Sequence, residues 1–486
     1  QDLELSIYLI QQTSFYLLFL ITYLNIVTKM LLCFNCKSDT TSVINSFMYE
    51  KFGQFIDGKW SPSSDNNTYE VINPANEEIL GKASKATPED VDRALKAAQK
   101  GLEVWKKTSP WQRSYIIRRI ADKMREKQDV LAKWMTLEVG KPFAEAKGEV
   151  GAAADIFEWN AEETKRIYGQ TVESRFEDTR VHVYYQPVGV VAALTPWNFP
   201  LVLSSRKIST ALAAGCSVIV KPDTITPGTV MELVDICREC GVPPGVVNLL
   251  SGDPPAIASQ LISSDIIKKI SITGSTRVGK LILKQAADKV QRVTMELSGH
   301  SPFIVFDDAD LNKATDMAIA AKFRNNGQVC ISPNRFYVQE NKKDEFTNLF
   351  IDKIKKLKIG DGMDPETQLG PLTTQKRLNE VEALVEKTKQ EGAKVLLGGK
   401  RPSGFNKGFY YEPTVFDNVK DDFTIMREEP FGPLVPMLSF KSFDEVIERA
   451  NNNDLGLCSY ICTNSMEKAH RTSELMETGT VAVNTP

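Results

Sequence analysis

The chain has 486 residues with a formal net charge of −3, and charged residues make up 25% of it. This length allows two or three domains with an ample core, and the small net charge argues against nucleic acids and anionic membrane surfaces as partners. The eight cysteines show no regular spacing, which indicates free thiols in a reducing, cytoplasmic setting.

Residues 1–47 differ in composition from the rest of the chain. Residues 7–27 are rich in Leu, Ile, Phe and Tyr but are interrupted by polar residues, so they form a marginal transmembrane candidate. They lack the basic leader of a secretory signal and the arginines of a mitochondrial presequence. We expect Met48 to be the natural start and residues 1–47 to be a translated upstream region. Membrane attachment through residues 7–27 is the alternative.

Residues 48–170 are predicted to form short strands followed by long amphipathic helices. Thr87 and Asp90 bracket a capping-box pattern, with proline in the first turn, that predicts a helix beginning there. Between residues 171 and 187 the pattern changes to the alternation typical of strands.

From Val188 onward the sequence predicts parallel α/β sheets. Runs of β-branched residues alternate with helix-length segments, as right-handed crossovers require. These runs lie at residues 188–194, 217–220, 246–250 and 270–272. A second α/β unit begins at Ser301, with strands predicted at 335–339, 394–397 and 435–439. The predicted fold class is α/β, with two doubly wound parallel-sheet domains and a small β arm.

Three motifs lie at the carboxyl ends of predicted strands, where such sheets bind ligands. They are Thr195-Pro-Trp-Asn-Phe-Pro200, Val218-Ile-Val-Lys-Pro222 and Ile272-Thr-Gly-Ser-Thr-Arg-Val-Gly279. No GxGxxG is present, but the segment from Gly274 to Gly279 opens a predicted helix whose free amides suit a pyrophosphate. Taken alone, this segment also fits an ordinary glycine turn into a helix.

Cys330 lies in the segment 322–335, where a helix predicted from Leu311 to about Arg324 gives way to a loop. A thiol is a strong nucleophile only as the thiolate, which needs a polar and partly exposed setting that such a loop provides. A lone cysteine is more often a small buried apolar residue. Glu296, upstream in Val293-Thr-Met-Glu-Leu-Ser-Gly299, is the first sign of a partner for it.

In this order and spacing, and with Glu428-Glu-Pro-Phe-Gly-Pro433, the motifs closely resemble those of the aldehyde dehydrogenase superfamily. The resemblance implies a dinucleotide-binding domain at 48–170 and 188–300, a catalytic domain at 301–486, and an arm at 171–187 that helps to pair subunits. Members of the superfamily continue beyond the position of Pro486, so we expect the catalytic domain to be truncated. For the same reason, the homodimer or tetramer of the family is doubtful for this chain.

The resemblance also implies a chemistry. Cys330 would attack the aldehyde carbon to give a thiohemiacetal, and the Asn198 side-chain amide with the Cys330 backbone amide would stabilise the oxyanion. Glu296 would activate the water that hydrolyses the resulting thioester. Lys207 matches a position that supports this proton relay, although it also fits a surface lysine.

The resemblance implies NADP or NAD as cofactor. The residues implied to bind it are Thr195, Pro196, Trp197, Lys221, Thr224, Gly274, Ser275, Gly279, Glu429 and Phe431. Lys221 matches a contact to the adenosine ribose, and Glu429 with Phe431 match contacts to the nicotinamide ribose. NAD-selective members have a glutamate at the position of Thr224, so we favour NADP, although Asp223 acts in the opposite direction.

Two arginines suggest the substrate class. Arg206 and Arg324 match the succinate-semialdehyde dehydrogenase branch, in which the pair grips the distal carboxylate with guanidinium forks; Phe199 is grouped with them as a substrate contact. Arginines of surface ion pairs are the alternative. Ser332 stands where that branch often has a second cysteine, so no regulatory disulfide is expected.

We therefore predict the NAD(P)-dependent oxidation of succinate semialdehyde, a small-molecule aldehyde. The alternatives are another semialdehyde such as glutarate semialdehyde, or a catalytically silent member of the fold. A CoA-acylating relative is disfavoured because Glu296 implies that water takes the acyl group. Cys33/Cys36 and Cys237/Cys240 are spaced CxxC, but neither pair lies beside a second one and only three histidines are present, so no metal site is predicted.

Overall fold

The computed structural model describes residues 49–486, so the predictions for residues 1–47 lie outside the described part of the chain. The strands are β1 (Gln54–Ile56), β2 (Lys59–Ser61), β3 (Thr68–Ile72), β4 (Ile79–Ser84), β5 (Gln170–Glu173), β6 (Arg180–Val183), β7 (Val190–Leu194), β8 (Val218–Lys221), β9 (Val247–Leu249), β10 (Ile267–Thr273), β11 (Arg292–Glu296), β12 (Ser301–Val305), β13 (Pro333–Gln339), β14 (Lys394–Leu397), β15 (Thr414–Asp417), β16 (Leu434–Phe440), β17 (Cys458–Cys462) and β18 (Thr480–Val483).

The helices connect these strands and cover the sheets. They are α1 (Pro88–Trp105), α2 (Pro110–Glu126), α3 (Gln128–Val139), α4 (Phe143–Thr164), α5 (Pro200–Ala213), α6 (Pro227–Glu239), α7 (Pro254–Ser263), α8 (Thr276–Ala287), α9 (Leu311–Phe323), α10 (Lys343–Ile354), α11 (Gln375–Gln390), α12 (Thr424–Arg427), α13 (Phe443–Asn451) and α14 (Met466–Leu475). Among the residues described, no helix has the length and apolar character needed to cross a membrane.

The first sheet has the strand order β11-β10-β7-β8-β9-β1-β2. The strands from β11 to β9 are parallel, and β1 and β2 extend the edge in antiparallel pairing. Every residue of β7 and β8 is buried, because helices cover both faces of a parallel sheet. The sequence predicted β7, β8, β9 and β10 to within a few residues, but it did not predict β11 as a strand or that β1 and β2 join the sheet.

The second sheet has the order β14-β15-β16-β13-β12-β17-β18. Its pairs are parallel except that β14 runs antiparallel to β15 at the edge. The fold class predicted from the sequence, α/β with two such sheets, is confirmed. The boundary predicted near residue 300 falls between β11 and β12, and the division into domains stays a prediction.

Outside the two sheets, β5 and β6 form a two-stranded antiparallel hairpin. It occupies the segment predicted as an arm, beginning one residue earlier at Gln170. Val172, Phe176, Val181, Tyr184 and Tyr185 expose large apolar surfaces in and beside this hairpin. Exposed apolar side chains of this number are typical of surfaces that contact another protein.

The strand register brings the predicted motifs to one edge of the first sheet. Leu194 pairs with Lys221 across β7 and β8, and Thr273 pairs with Glu296 across β10 and β11. The carboxyl ends of these parallel strands therefore point the same way, and the segments that follow them lie side by side. This is the edge at which open α/β sheets bind ligands.

Candidate active site

A cavity of about 220 Å³ lies at this edge, between the ends of the first-sheet strands and the loop that precedes β13. Its lining residues are Pro196, Trp197, Asn198, Thr273, Gly274, Ser275, Leu297, Ser298, Cys330, Arg377, Glu429 and Phe431. Eight of the residues singled out from the sequence are among them. The cavity thus joins motifs that are more than two hundred residues apart in the chain.

The loop carrying Cys330 has an unusual backbone. After α9 ends, Asn325, Asn326 and Gly327 have φ angles of 49°, 54° and 74°, a left-handed region that asparagine and glycine tolerate best. A Cβ on Gly327 would lie 2.3 Å from the Gly432 carbonyl oxygen, so only glycine fits there. These three residues turn the chain sharply and present Cys330, which is partly exposed, to the cavity.

The Cys330 thiol lies 3.5 Å from the Glu296 carboxylate, measured from Sγ to Oε1. Burial raises the pKa of this thiol to about 12, and the negative charge of Glu296 acts in the same direction. In the protein without ligands the thiol therefore keeps its proton and donates a hydrogen bond to the carboxylate. Glu296 is placed to remove that proton when an electrophile arrives.

A polar chain continues from Glu296 to Lys207. Thr273 Oγ1 lies 3.4 Å from Glu296 Oε2 and accepts a hydrogen bond of 2.9 Å from Lys207 Nζ. Burial lowers the pKa of Lys207 to about 8, although the nearby Glu296 opposes this shift. The alternative of an exposed surface lysine is wrong, because Lys207 is partly buried and hydrogen-bonded through β10.

Asn198 lines the same cavity as Cys330 and is 3% exposed. Its Nδ2 donates a 3.1 Å hydrogen bond to the Gln328 carbonyl in the Cys330 loop. A primary amide carries two N–H groups, so this bond leaves one donor for a developing oxyanion in the cavity. The arrangement satisfies the requirement for fixed donors next to a nucleophile.

A second cavity, of about 460 Å³, is also lined by Glu296. Its polar lining includes Arg206, Lys207 and Lys269. Arg206 therefore lines a different cavity from Cys330.

Arg324 lines neither of these two cavities; it is exposed, and its guanidinium carbon lies 5.2 Å from the centre of the Phe199 ring. The two predicted clamp arginines therefore do not line the same one of these two cavities. Neither forms an ion pair among the residues that the structure describes, so the surface ion-pair alternative has no support either.

The environment of Lys221 suits the binding of a dinucleotide. It ends β8, is 4% exposed, and makes no side-chain hydrogen bond or ion pair with residues 49–486. Burial lowers its pKa to about 8, against the opposing charges of Asp223 and Asp253. A buried ammonium without a partner is costly, and the hydroxyl oxygens of a ribose would supply one. Thr224, two residues beyond Pro222, is only half-buried.

The start of α8 has the geometry of a pyrophosphate site. Ser275 is the N-cap, and its side chain accepts a hydrogen bond from the Val278 amide, while Gly274 lies open beside it. A Cβ on Gly279 would meet Leu297 Cδ2 at 2.6 Å, so glycine permits the close packing of the helix on the strand segment. The first-turn amides of α8 are thereby aimed at the cavity edge, which favours an anion.

Glu429 and Phe431 also line the cavity that contains Cys330. Glu429 accepts a 3.4 Å hydrogen bond from the Gly299 amide, and burial raises its pKa to about 7. Phe431 has a φ of 44°, and its ring meets Trp197 edge-on with centroids 5.6 Å apart. Thr195 is buried, and its amide bonds the Lys221 carbonyl at 3.1 Å, which fixes the two strand ends together. These residues fit a bound nicotinamide dinucleotide.

Sequence reasoning missed Arg377, which also lines the cavity. It belongs to α11, where its spacing from Glu380 is that of an ordinary surface ion pair. Burial lowers the pKa of this arginine, with Glu380 and Glu429 acting against the shift. No motif marks it, and only the packing of α11 against the cavity reveals it.

Comparison with known proteins gives the family. The characteristic sequence pattern of the aldehyde dehydrogenase family matches residues 60–486. The chain belongs to the aldehyde dehydrogenase family. The resemblance inferred from the motifs is therefore confirmed.

Several aldehyde dehydrogenases are similar along most of their length. The chain is 42% identical over 431 residues to a glutarate-semialdehyde dehydrogenase of Pseudomonas putida, with 89% of each chain covered. It is 41% identical to an NADP(+) succinate-semialdehyde dehydrogenase of Escherichia coli, with 88% of this chain and 89% of the relative covered. The crystal structure of a succinate-semialdehyde dehydrogenase from Burkholderia pseudomallei has a TM-score of 0.88 at 41% identity, covering 89% of this chain and 90% of that one.

Proposed function

We propose that this aldehyde dehydrogenase oxidises a short semialdehyde that ends in a carboxylate, with succinate semialdehyde as the preferred substrate. The observation that carries the proposal is the 3.5 Å approach of the Cys330 thiol to the Glu296 carboxylate beside Asn198. A thiol, a base within reach of it and a nearby amide donor are the groups that acyl chemistry on an aldehyde requires.

The side chains divide the reaction between them. Glu296 takes the thiol proton as the Cys330 sulfur bonds to the aldehyde carbon, and the free N–H of Asn198 donates to the oxygen that becomes negative. The nicotinamide cofactor, when bound, supplies the hydride acceptor. The acyl group then remains on Cys330 as a thioester, and Glu296 takes a proton from the water that attacks it. Lys207, through Thr273, provides a path for that proton away from Glu296.

NADP is proposed in preference to NAD. Lys221 is a buried cation with no partner among residues 49–486, and Thr224 brings no negative charge that would repel a 2′-phosphate. Asp223 is the opposing group, but its Oδ1 accepts a 3.0 Å hydrogen bond from the Ile225 amide, which partly occupies it. Pro196, Trp197, Gly274, Ser275, Glu429 and Phe431 would contact the rest of the cofactor.

The substrate assignment rests on Arg324 and the relatives. Arg324 lies over the ring of Phe199, the residue that follows Asn198, and is proposed to bind the distal carboxylate of the substrate. The semialdehydes named for the relatives in Pseudomonas putida and Escherichia coli both carry such a carboxylate. Arg206 lines the second cavity and not the one that Cys330 lines, so the proposed carboxylate contact is assigned to Arg324.

The proposed division is a dinucleotide-binding part at residues 48–170 and 188–300 and a catalytic part from residue 301. The β5–β6 hairpin, with its exposed apolar side chains, is proposed to pair subunits of a homodimer or tetramer.

The direct test measures kcat/KM for succinate and glutarate semialdehydes, each with NADP and with NAD, from the absorbance of the reduced cofactor. We expect the highest value for succinate semialdehyde with NADP, exceeding glutarate semialdehyde by about tenfold, since one methylene in a pocket is worth about that factor. A kcat/KM for propanal equal to that for either semialdehyde would contradict the carboxylate requirement. Absence of turnover with every aldehyde would favour the silent alternative.

Replacing Arg324 with alanine tests the carboxylate contact. We expect the KM for succinate semialdehyde to rise by about 10- to 100-fold, because a charge-assisted hydrogen bond is lost, and the KM for propanal to change less than about twofold. Arg401→Ala is the matched control, because Arg401 forms an exposed ion pair with Glu382 and lines neither of the two cavities. Equal effects of Arg324→Ala on both aldehydes would remove the proposed contact.

A further inference from the structure

We propose that Lys141 is a positioning residue, which holds the Asn198 backbone so that its side-chain amide meets the oxyanion. The proposal rests on the proposed function, since it concerns a step of that reaction. Lys141 lies between α3 and α4, outside every motif that marks the site, and neither cavity touches it.

The Lys141 ammonium has three close neighbours and almost no solvent. Its Nζ donates to the Asn198 carbonyl at 2.9 Å and to Glu149 Oε2 at 2.5 Å. The side chains of Lys141 and Glu149 are each 1% exposed. The ammonium also lies 4.0 Å from the centre of the Phe199 ring. The ammonium of Lys141 thus contacts the Asn198 carbonyl, the Phe199 ring and the Glu149 carboxylate.

Glu149 extends this hold to the helix that follows Asn198. Its other oxygen, Oε1, accepts hydrogen bonds from the amides of Leu201 at 3.0 Å and Val202 at 3.1 Å, in the first turn of α5. A carboxylate at a helix N-terminus satisfies free amides and interacts favourably with the helix dipole. The Lys141–Glu149 pair therefore fixes the chain on both sides of Phe199.

The same carbonyl links Asn198 to the Cys330 loop. Asn325 Nδ2 donates to the Asn198 carbonyl at 3.0 Å, and the Asn198 side chain donates to the Gln328 carbonyl at 3.1 Å. The backbone N–H of Asn325 in turn donates a 2.8 Å hydrogen bond to Glu145 Oε2. The distance between the oxyanion donor and the sulfur thus depends on one carbonyl that Lys141 and Asn325 share.

Loss of the ammonium should therefore lower kcat much more than it changes the KM for the cofactor. Without it the Asn198 carbonyl keeps only the Asn325 contact, and the backbone can move away from the sulfur. A displacement near 1 Å at a reacting centre costs about 100-fold in rate. The cofactor contacts at Lys221, Ser275 and Glu429 do not involve Lys141 and should stay intact.

The experiment is a double-mutant cycle of Lys141→Met and Asn198→Ala in the full chain, with kcat and both KM values measured for wild type, each single variant and the double variant. We expect Lys141→Met to lower kcat by about 100-fold while the KM for the cofactor changes less than about twofold. In the Asn198→Ala background the same substitution should have no further effect on kcat, because the donor it positions is gone. Equal fold losses in both backgrounds would overturn the proposal.

Two further variants separate positioning from stability. Removing one partner of a buried ion pair leaves an unpaired charge, so Lys141→Met combined with Glu149→Gln removes both charges and keeps an oxygen to accept from the α5 amides. If Lys141→Met does not fold, the cycle is run with this pair, and the same two outcomes decide. Lys127→Met is the control, because it breaks ion pairs to Glu232 and Glu239 away from the cavity and should keep the wild-type kcat.

The outcomes also distinguish this proposal from the proposed function. Activity of the wild type on succinate semialdehyde, together with loss of activity in Asn198→Ala, supports the function whatever the cycle gives. An unchanged kcat in a folded Lys141→Met protein would remove the positioning role alone. A wild type without turnover on any aldehyde would defeat the function first.

Discussion

We expect replacement of Cys330 with alanine to abolish aldehyde oxidation, with kcat falling by at least about 10⁴-fold, a loss typical of removing a catalytic nucleophile. No other cysteine lines the cavity in which Asn198 and Glu429 lie, so no second thiol in the described chain can take over. The measurement is steady-state production of the reduced cofactor with saturating succinate semialdehyde. Binding of NADP, followed by protein fluorescence, should be unchanged.

Cys240→Ala is the matched control for this experiment. Cys240 is a buried free thiol at the C-terminal end of α6 and lines neither of the two cavities, so the variant should keep its activity. Retained activity in Cys330→Ala would defeat the nucleophile assignment. Equal loss in both variants would indicate a fold that tolerates no cysteine replacement.

Replacing Glu296 with glutamine separates the two halves of the reaction. We expect kcat to fall by about 10²- to 10⁴-fold, since a positioned general base contributes that much. One equivalent of reduced cofactor should still form in a burst, which is slower than in the wild type because the thiol has also lost its base. The burst measures formation of the thioester, and the slow phase measures its hydrolysis. Rapid mixing with absorbance detection checks both, and loss of the burst with an unchanged slow phase would contradict the role in hydrolysis.

The same variant changes the acidity of the thiol. Burial raises the pKa of Cys330 to about 12, and the charge and hydrogen bond of Glu296 add to the shift. Removing that charge lowers the pKa, so a larger fraction of the sulfur is thiolate at any pH below it. Alkylation of Cys330 by iodoacetamide at pH 8 should therefore be faster in Glu296→Gln than in the wild type. A slower reaction would contradict the effect assigned to the Glu296 charge on the pKa of the thiol.

Much of the fold was predictable because the local signals agree. Continuous apolar runs such as Val190–Leu194 occur where both faces of a strand are covered, and proline at the first turn of α5, α6 and α7 marks where helices begin. The motif that ends at Pro200 and the segment around Cys330 are sufficient to indicate the family from the sequence. The strand β14 was predicted at its observed bounds, but the antiparallel pairing of the edge strands β1 and β14 was not, because it depends on distant segments.

The sequence by itself therefore determined the α/β fold class and the family, and it pointed to Cys330 and Glu296 as the proposed reacting groups, since those features follow from short patterns of residues. Only the tertiary structure decided that Arg206 faces a different cavity from Cys330, that Arg377 enters the cofactor cavity, and that Lys141 holds Asn198. Such contacts join residues separated by tens to hundreds of positions, and the direction of a side chain there depends on how whole helices pack.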